Sequence, residues 1–479
     1  MLAYDKLYIN GKWVEGSSDK VMEDRCPMDG SLLYTYKAAS KDDVDKAYAA
    51  ARAAFPGWAK TTPGEKAAML EKLANAIEEM ADEVAEVLIM EGGSTAPKVG
   101  FEISTCINIC KQAMAFPYML RGETVASDIP GKDNFVYKAP KGVIGVIAPW
   151  NVPLVLAMRS VVPAVATGNT VVLKPASDTP ATAFLVAKFF EKAGFPAGVF
   201  NAVVGKGSEI GDYFVEHETP ELISFTGSTE VGKQIGRTAG GQIKDVSLEL
   251  GGNNVMLVLK DADLSKVIGA AIFGAFFNVG QVCMALNRII VEEPLYDAFV
   301  EAFVGAVKTV KVGDPHDPEV FIGPIISETQ VKSVEGFIKA NIEAGATVAL
   351  EGHTEGNYIY PWVFTDCTND MPACCNEVFG PVVCIIKCKD EEEGIAIAND
   401  TEYGLSGCVF TEDLYHGIQV AQRIESGMTH VNDQSINDEP HVMFGGAKHS
   451  GVGRFNYTWV VDKFTTTKWI SVQTNNRFG

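Results

Sequence analysis

The sequence of 479 residues lacks the cysteine and histidine patterns of a metal-binding protein, although it contains ten cysteines and seven histidines. No two cysteines are spaced as Cys-x-x-Cys, and the pairs Cys106/Cys110 and Cys384/Cys388 have no second pair that would complete a zinc site. We therefore expect no bound metal. Scattered, reduced thiols are typical of a cytoplasmic protein.

Basic residues are also scarce, since 40 lysines and arginines face 61 aspartates and glutamates, which leaves a net charge of −21. A protein with this charge is repelled by nucleic acid and by anionic membranes, so we expect neither as a partner. The excess negative charge is most simply explained as a solvated surface that keeps the protein soluble.

The sequence shows neither a secretory signal nor a convincing membrane-spanning segment. Its first residues lack the basic and apolar regions of a signal peptide. The stretch 142–158 is uncharged, but Pro149 and Pro153 interrupt it and Arg159 follows it directly. We interpret this stretch as a buried strand, a turn and a helix.

Length and composition indicate a soluble α/β enzyme of two or three domains, because the chain exceeds the size of a single hydrophobic core. Hydrophobic residues make up 47% of it, and 46 glycines and 22 prolines give an ordinary globular composition. There is no internal repeat and no low-complexity linker. The type of motif changes near residues 251–252, which predicts a domain boundary there.

Predicted strands alternate with predicted helices along most of the chain. Helices at 41–59, with Ser40 as N-cap, and at 64–90 come first. The predicted strands are 143–147, 170–173, 198–204, 222–225, 254–259, 289–291 and 382–386, and the predicted helices are 153–166, 179–193, one from Ser208, one from Thr229, and 264–278. This alternation predicts parallel sheets that bind ligands beyond the carboxyl ends of their strands.

The segment 225–232 has the pattern of a phosphate-binding turn. A strand ends at Phe225, Gly227 allows a tight turn, and Ser228 and Thr229 cap a helix whose free N–H groups can hold a pyrophosphate. A plain strand-to-helix turn is the alternative. The upstream segment 205–211 resembles G-x-G-x-x-G with one residue too many, which is a weak signal for a dinucleotide site.

Two polar residues at predicted strand ends allow two interpretations each. Lys174 either reaches a ribose hydroxyl or phosphate, or is merely solvated. The side-chain amide of Asn151 either stabilises an oxyanion or caps the following helix.

Cys283 is the candidate nucleophile, and Glu249 is its candidate base. The reactive form of cysteine is the thiolate, and a nearby carboxylate can take the thiol proton or activate a water molecule. Cys283 lies in a glycine-containing turn after a helix, whereas the other nine cysteines are best interpreted as small apolar fillers. This pair predicts covalent catalysis on a carbonyl group.

Together these residues make the chain similar to the aldehyde dehydrogenase superfamily over nearly its whole length. The matching motifs are Pro149-Trp150-Asn151, Lys174-Pro175-Ala176-Ser177, Phe225-Thr226-Gly227-Ser228, Glu249-Leu250-Gly251-Gly252, Gly280-Gln281-Val282-Cys283 and Glu377-Val378-Phe379-Gly380-Pro381. The resemblance implies an α/β fold with a Rossmann-like parallel-sheet cofactor domain, an α/β catalytic domain and a small β oligomerisation arm. The implied domains are 1–121 with 138–251 for NAD(P), 252–443 for catalysis, and 122–137 with 458–479 for oligomerisation.

The resemblance also implies a role for each matched position. Cys283 would attack the aldehyde carbon, while Asn151 and the Cys283 N–H would hold the oxyanion of the thiohemiacetal. Hydride transfer to the nicotinamide would leave a thioester, and Glu249 would activate the water that hydrolyses it. The implied cofactor-binding residues are Trp150, Lys174, Ala176, Ser177, Gly207, Gly211, Phe225, Gly227, Ser228, Leu250, Gly251, Glu377 and Phe379.

Three positions depart from the family pattern. Ser177 replaces the glutamate with which NAD-preferring members repel a 2′-phosphate, so we expect use of both NAD and NADP. Arg159-Ser160 replaces a common Trp-Lys pair. Phe455 replaces a glutamate that serves many members as a proton relay, which would leave Glu249 as the only water-activating group.

The closest resemblance is to the benzaldehyde and vanillin dehydrogenase branch. It is carried by Met158-Arg159-Ser160, by Gln281-Val282-Cys283-Met284, and by Val431-Asn432-Asp433 through Asn437-Asp438-Glu439-Pro440-His441. This resemblance makes an aromatic aldehyde the expected small-molecule substrate. Arg159, Phe444 and Phe455 are the predicted substrate residues. A semialdehyde such as succinate semialdehyde is the alternative, because Arg159 could grip a distal carboxylate, although it could equally form a structural ion pair.

Three other functional classes fit less well. Glu249 argues against a coenzyme-A-acylating enzyme, which generally lacks this glutamate, and no histidine motif supports a cysteine protease. A non-catalytic role would not explain why four residues suited to catalysis occur together, namely Asn151, Glu249, Cys283 and Glu377. The resemblance further implies a homodimer or homotetramer, and residues 466–472 read as an exposed edge strand that could pair with another copy.

Overall fold

The structure, a computed structural model, describes residues 4–478, and two largely parallel sheets dominate it. The first has eight strands, of which the five in the middle run parallel. In spatial order its strands are Lys12–Val14, Leu7–Ile9, Phe200–Ala202, Thr170–Lys174, Val143–Ile147, Leu222–Thr226, Asp245–Glu249 and Gly451–Val452. The predicted parallel sheet is therefore present, with antiparallel strands added at both edges.

The second sheet has seven strands and is parallel except at one edge. Its strands, in spatial order, are Thr347–Leu350, Trp362–Thr365, Val382–Cys388, Leu286–Glu292, Asn254–Val258, Ser406–Phe410 and Met428–Val431. The chain passes from the first sheet to the second between Glu249 and Asn254, where the sequence predicted a change.

A third sheet carries the last strand of the chain. Thr465–Gln473 pairs antiparallel with Lys132–Pro140, which also pairs with Glu123–Val125. Thr465–Gln473 is therefore an edge strand, as the sequence predicted for residues 466–472. The remaining strands form three small hairpins or pairs: Val21–Arg25 with Leu32–Lys37, Thr354–Glu355 with Tyr358–Ile359, and Tyr403–Gly404 with Ala447–Lys448.

Helices cover both large sheets, and their ends follow from the sequence. The helices are Lys41–Lys60, Pro63–Glu79, Ala81–Gly92, Ala96–Ala113, Pro153–Ala166, Ala181–Ala193, Asp212–Glu216, Thr229–Gly241, Leu264–Phe276, Glu293–Val307, Glu328–Glu343, Pro372–Cys375, Glu391–Asn399, Leu414–Ala421 and Tyr457–Lys463. Ser40 caps the first helix as predicted, in a capping box with Asp43. No helix among residues 4–478 combines the length and apolar character needed to cross a bilayer.

Three predicted helices differ from the helices that the structure contains. The prediction 64–90 was wrong as one helix, because Met80 leaves the helical conformation and divides it in two. Instead of a helix from Ser208, a π-helical turn Gly207–Gly211 leads into the short helix Asp212–Glu216. The helix predicted at 264–278 ends at Phe276, since the backbone turns left-handed after it.

Helix Pro153–Ala166 lies entirely in the interior, which explains the uncharged stretch in the sequence. Because its first N–H groups are buried, they need an acceptor inside the protein. The carboxylate of Glu102 provides it, accepting hydrogen bonds from Leu154 N at 2.9 Å and Val155 N at 3.4 Å. Glu102 also forms a buried ion pair with Lys98, whose Nζ lies 3.1 Å from Glu102 Oε1.

We expect Glu102→Ala to destabilise the protein strongly, because it removes the helix cap and leaves the Lys98 ammonium buried without a counter-charge. Breaking a buried pair in this way costs about 3–5 kcal/mol. Urea unfolding followed by fluorescence measures the loss. Glu343→Ala, which breaks the exposed pair with Lys339, is the matched control and should change the stability little. Equal stability of the two variants would contradict this role of Glu102.

Candidate active site

The candidate residues come together where the two large sheets face each other. Glu249 ends a strand of the first sheet, and the Pro149-Trp150-Asn151 turn follows the neighbouring strand Val143–Ile147. Cys283 precedes the strand Leu286–Glu292 of the second sheet. The site therefore lies beyond the carboxyl ends of the parallel strands of the first sheet, as the alternation of elements predicted.

A cavity of about 270 Å³ is lined by nine of the predicted residues. Its walls combine the turn after Val143–Ile147, the turn after Leu222–Thr226, the loop after Glu249 and two segments of the second sheet's domain. The lining residues are Pro149, Trp150, Asn151, Thr226, Gly227, Ser228, Leu250, Gly251, Cys283, Gln330, Ser333, Glu377, Val378 and Phe379.

A second, much narrower cavity of about 20 Å³ approaches Cys283 from the other side. Its walls are largely apolar: Phe101, Asn151, Val152, Val155, Leu156, Arg159, Phe277, Val282, Cys283, Met284, Ile436, Asp438 and Phe444. Cys283 and Asn151 line both cavities. The thiol therefore lies between the larger cavity, which we call the polar cavity, and the narrow one, which we call the apolar crevice. In this position it can contact a different molecule on each side.

A left-handed turn positions the cysteine. Asn278, Val279 and Gly280 all have positive φ, at 51°, 62° and 72°, so the chain reverses sharply after helix Leu264–Phe276. A Cβ at Gly280 would lie 2.3 Å from Gly380 O, so only glycine fits there. This turn brings the backbone of Gln281 to Asn151.

Hydrogen bonds connect this turn to Asn151. The side-chain amide of Asn278 donates to Asn151 O at 3.0 Å and to Gln281 O at 3.1 Å. Asn151 Nδ2 in turn donates to Gln281 O at 3.1 Å. Since Val152, and not Asn151, precedes the helix, the interpretation of Asn151 as a helix cap was wrong. Its amide is held beside the cysteine instead.

Cys283 is a neutral thiol at rest. Its burial raises the pKa to about 12, and the nearby carboxylates Glu377 and Glu249 raise it further while Arg159 opposes them. A thiol with this pKa needs a base to become nucleophilic.

Glu249 is placed to be that base. It is 2% exposed, and neither carboxylate oxygen has a hydrogen-bond partner among residues 4–478. Burial raises its pKa to about 8, although Arg159 and Arg454 lower it and Asp438 raises it. An unpaired buried carboxyl with a pKa near neutrality is typical of a group that exchanges protons during a reaction.

Glu377 lies at the opposite wall of the larger cavity. Gly252 N donates to its Oε1 at 3.1 Å, and burial raises the pKa of Glu377 to about 7. A Cβ at Gly251 would lie 2.3 Å from Glu377 Oε2, which explains the glycine pair after Glu249 and Leu250. The carboxyl is thus fixed by the same loop that carries Glu249.

Two aromatic rings form one end of this cavity. Trp150 and Phe379 meet edge to face, with their ring centroids 5.3 Å apart. Phe379 has a positive φ of 55°, and its carbonyl accepts a hydrogen bond from Gln330 Nε2 at 2.9 Å. The ring is therefore held in place by a constrained backbone.

The predicted phosphate-binding turn has the expected local structure. Ser228 caps helix Thr229–Gly241, and its hydroxyl accepts from Val231 N at 3.4 Å. A Cβ at Gly227 would lie 2.5 Å from the ring of Phe225, so glycine is needed for the close approach. Both Gly227 and Ser228 line the larger cavity.

Lys174 is buried at the end of its strand, which makes the solvated interpretation wrong. Its Nζ donates to Pro175 O at 3.1 Å, and burial lowers its pKa to about 8, although Asp178 opposes this effect. A buried ammonium with a single neutral acceptor can bind further oxygens. Ser177 lies nearby in the wall of a separate cavity of about 490 Å³, together with Asp178 and residues 23–30.

Gly207 and Gly211 do not line the cavity with Cys283. They lie at the two ends of the π-helical turn that begins helix Asp212–Glu216. Ala176 follows Lys174 and is partly exposed.

Arg159 forms a buried ion pair with Asp438, a residue to which the sequence assigned no role. The two side chains are 4% and 3% exposed. The guanidinium also lies over the ring of Phe444, 3.9 Å from its centroid, and Asn456 Nδ2 donates to Asp438 Oδ1 at 3.1 Å. Of the two interpretations of Arg159, the structural ion pair is present.

Asp438 was missed because no catalytic motif contains it, although it lies in one of the stretches that resemble the aromatic branch. Phe444 lines the apolar crevice as predicted. Phe455 does not. It is 1% exposed and packs behind the wall, exchanging backbone hydrogen bonds of 2.8 and 3.2 Å with Phe444.

Comparisons with known proteins agree with this geometry. The model of the aldehyde dehydrogenase family matches residues 13–470. A vanillin dehydrogenase of Corynebacterium glutamicum is 47% identical over 98% of this chain and 97% of its own length. A benzaldehyde dehydrogenase of Bacillus subtilis is 46% identical over 100% of this chain and 99% of its own.

Solved structures give the same result. A NAD-dependent benzaldehyde dehydrogenase from Corynebacterium glutamicum superimposes with a TM-score of 0.91 at 44% identity, covering 98% of this chain and 99% of its own. A salicylaldehyde dehydrogenase from Pseudomonas putida G7, solved with salicylaldehyde, has a TM-score of 0.96 at 34% identity and covers 99% of both chains. The fold predicted from the sequence is confirmed.

Proposed function

The chain belongs to the aldehyde dehydrogenase family, and on this premise we propose that it oxidises an aromatic aldehyde to the carboxylic acid with NAD. The observation that carries the proposal is the position of Cys283 between the polar cavity and the apolar crevice. Asn151 lines both cavities, and the buried carboxyl of Glu249 is near enough to raise the pKa of the thiol. The aldehyde would occupy the crevice, and the reactive end of the cofactor would occupy the polar cavity.

The first step is attack of the Cys283 thiolate on the aldehyde carbon. Because the thiol is neutral at rest, its proton must pass to a base. Glu377 and Glu249 both act on the thiol electrostatically, and of these two Glu249 is the one whose carboxylate oxygens have no hydrogen-bond partner among residues 4–478. The carbonyl oxygen becomes an oxyanion as the C–S bond forms. One amide hydrogen of Asn151 is bonded to Gln281 O, so the other can bind this oxygen together with the Cys283 N–H.

The residues around the polar cavity fit a dinucleotide. When bound, NAD supplies the acceptor for the aldehyde hydride. Glu377 would bind the ribose next to the nicotinamide, and the Trp150 and Phe379 rings would orient the nicotinamide itself. The capped turn at Ser228 would hold the pyrophosphate, and the buried Lys174 would bind the adenosine ribose.

The second half of the reaction is hydrolysis of the Cys283 thioester. A thioester is a good acyl donor, so separating oxidation from hydrolysis lowers both barriers. We propose that Glu249 activates the attacking water, because its buried oxygens are unpaired among residues 4–478, its charge acts on the Cys283 thiol, and its pKa lies near 8. Asp438 is unsuited to this role, since it is paired with Arg159.

We expect Glu249→Gln to keep a burst of NADH with benzaldehyde, slowed because the Cys283 thiol must then lose its proton to water. We expect it to lose steady-state turnover by about 10²–10⁴-fold, the usual contribution of a general base. In the unchanged protein the steady-state rate should rise as the pH passes through about 8, because only the ionised carboxyl accepts a proton. Stopped-flow and steady-state absorbance measure both quantities. Cys408→Ala, which changes a buried cysteine in strand Ser406–Phe410 of the second sheet, is the control. A steady-state rate unchanged in Glu249→Gln would rule out this role.

The lining of the crevice favours an aromatic ring over a charged group. Phe101, Phe277 and Phe444 line it, and the positive charge of Arg159 is already balanced by Asp438. As the crevice has about 20 Å³ of free space, its side chains must shift to admit a ring. The semialdehyde alternative, which needs a free arginine, is not favoured.

We expect kcat/KM for benzaldehyde to exceed that for succinate semialdehyde by at least about tenfold, since the Arg159 charge that would attract a distal carboxylate is already neutralised by Asp438. The same assay with Cys283→Ala should give no reduced cofactor. A preference for succinate semialdehyde would overturn the aromatic assignment without affecting the proposed chemistry of Cys283.

We also propose that NADP is accepted alongside NAD. Ser177 places a small neutral side chain near Lys174, where a glutamate would repel a 2′-phosphate. NAD remains the cofactor of the benzaldehyde dehydrogenase structure that resembles this chain.

Steady-state kinetics with each cofactor test this dual use. We expect measurable turnover with NADP, and a loss of at least about tenfold in its kcat/KM on Ser177→Glu, since one like charge beside a phosphate costs over 1 kcal/mol at moderate screening. Ser177→Ala is the matched control and should leave the ratio of NAD to NADP activity nearly unchanged. No turnover at saturating NADP would refute the proposal.

We propose, finally, the division into domains given above, and self-association through residues 122–137 and 458–479. The edge strand Thr465–Gln473 supports this, because it exposes Trp469, Ile470 and Val472 and leaves one row of backbone groups unpaired among the described residues. Light scattering in solution distinguishes a dimer or tetramer from a monomer.

A further inference from the structure

Three buried cysteines converge behind the candidate active site. Cys367 follows strand Trp362–Thr365, Cys374 lies in helix Pro372–Cys375, and Cys384 lies in strand Val382–Cys388. Their sulfur atoms all lie within 4.8 Å of one another, and the residues are between 0% and 5% exposed. The fold thus assembles a thiol cluster that the spacing of cysteines along the sequence did not reveal.

The separation of the sulfurs suits a single metal ion. A metal–thiolate bond is about 2.3 Å long, so three sulfurs around one ion in a plane lie about 4 Å apart. The observed limit of 4.8 Å requires only a small inward movement of the side chains.

The ligand set consists of sulfur alone. Among residues 4–478 no histidine or carboxylate joins the three cysteines. Asn341 lies against the cluster but donates to Cys384 Sγ, at 3.6 Å, while its own oxygen accepts from Ala373 N at 3.1 Å. Three thiolates without a fourth donor suit a soft ion such as Cu(I), whereas structural zinc takes four ligands.

A buried cation next to the cluster is a second, independent observation. Arg288 is 0% exposed and is the direct cross-strand neighbour of Cys384. Its guanidinium donates only to neutral oxygens, at 2.8–3.2 Å, on Asn253, Asn369, Ile397 and Ala398. A buried charge is costly without a counter-charge, and thiolates holding a monovalent ion would provide one.

The cluster is also connected to the surface and to the active site. The neighbouring Cys375 is exposed and can pass a metal inward by ligand exchange. On the other side, Cys374 O accepts a hydrogen bond of 2.6 Å from Asn253 Nδ2, next to the Gly251-Gly252 loop that binds Glu377.

From this convergence we propose that Cys367, Cys374 and Cys384 form a binding site for one three-coordinate Cu(I) ion. Binding displaces three thiol protons to solvent and forms three copper–sulfur bonds, without any change of oxidation state. The site is separate from the Cys283 chemistry and does not depend on the proposed substrate.

Cu(I) binding can be measured without oxygen, in competition with a chromophoric Cu(I) chelator. The parent protein carries Cys283→Ala and Cys375→Ser, which remove the nucleophile and the exposed thiol. We expect one equivalent of Cu(I) per chain, with three sulfur neighbours by X-ray absorption. Cys384→Ala and Cys367→Ser, made separately, should each lose this equivalent, and Cys110→Ala, at a buried cysteine outside the cluster, should keep it.

The absorption measurement on the parent needs no cluster variant, so a folding defect in one of them leaves the test intact. Absence of the bound equivalent, two sulfur neighbours in place of three, or unchanged binding in a folded Cys384→Ala would each overturn the proposal. Tighter binding of Zn(II) than of Cu(I) by the same cysteines would also contradict it, since that would indicate a fourth ligand.

Discussion

The hydrogen bonds of the Asn278 side chain hold the two halves of the site together. Asn278 belongs to the cysteine turn of the second sheet's domain, while Asn151 belongs to the first sheet, and one amide group bonds to both sides. The turn itself is possible because Gly280 accepts a conformation and a closeness to Gly380 O that a side chain would forbid. The nucleophile and the amide beside it thus keep their relative positions even though they come from different sheets.

Burial is the common cause of the unusual proton affinities in this site. It raises the pKa values of Cys283, Glu249 and Glu377. Nearby arginines partly offset this effect at Cys283 and Glu249, and the hydrogen bond from Gly252 N partly offsets it at Glu377. These three groups therefore keep their protons at pH values where exposed groups of the same kind would have lost them. Arg159 lowers the pKa values of Cys283 and Glu249, whereas Asp438 raises them. Their ion pair therefore influences both groups electrostatically, although neither residue lines the larger cavity.

The sequence predicted the parts of this molecule that depend on local pattern. The strand and helix alternation and the Ser40 and Ser228 caps follow from periodicity and short motifs. It failed where the outcome depends on packing between distant segments. Nothing local marks the break at Met80, the partnership of Arg159 with Asp438, or the convergence of Cys367, Cys374 and Cys384, because each involves neighbours that only the tertiary fold supplies.

One detail of the first sheet bears on how the protein is made. Glu249 ends a strand whose outer neighbour is Gly451–Val452, and Leu250 N bonds to Ser450 O at 2.9 Å. These residues are synthesised about two hundred positions after Glu249. During translation the first sheet therefore folds with its catalytic edge open, and it is closed only when nearly the entire polypeptide has left the ribosome. Chains that end before residue 451 would leave this edge of strand Asp245–Glu249 unpaired, and an unpaired edge strand is a template for pairing with other chains.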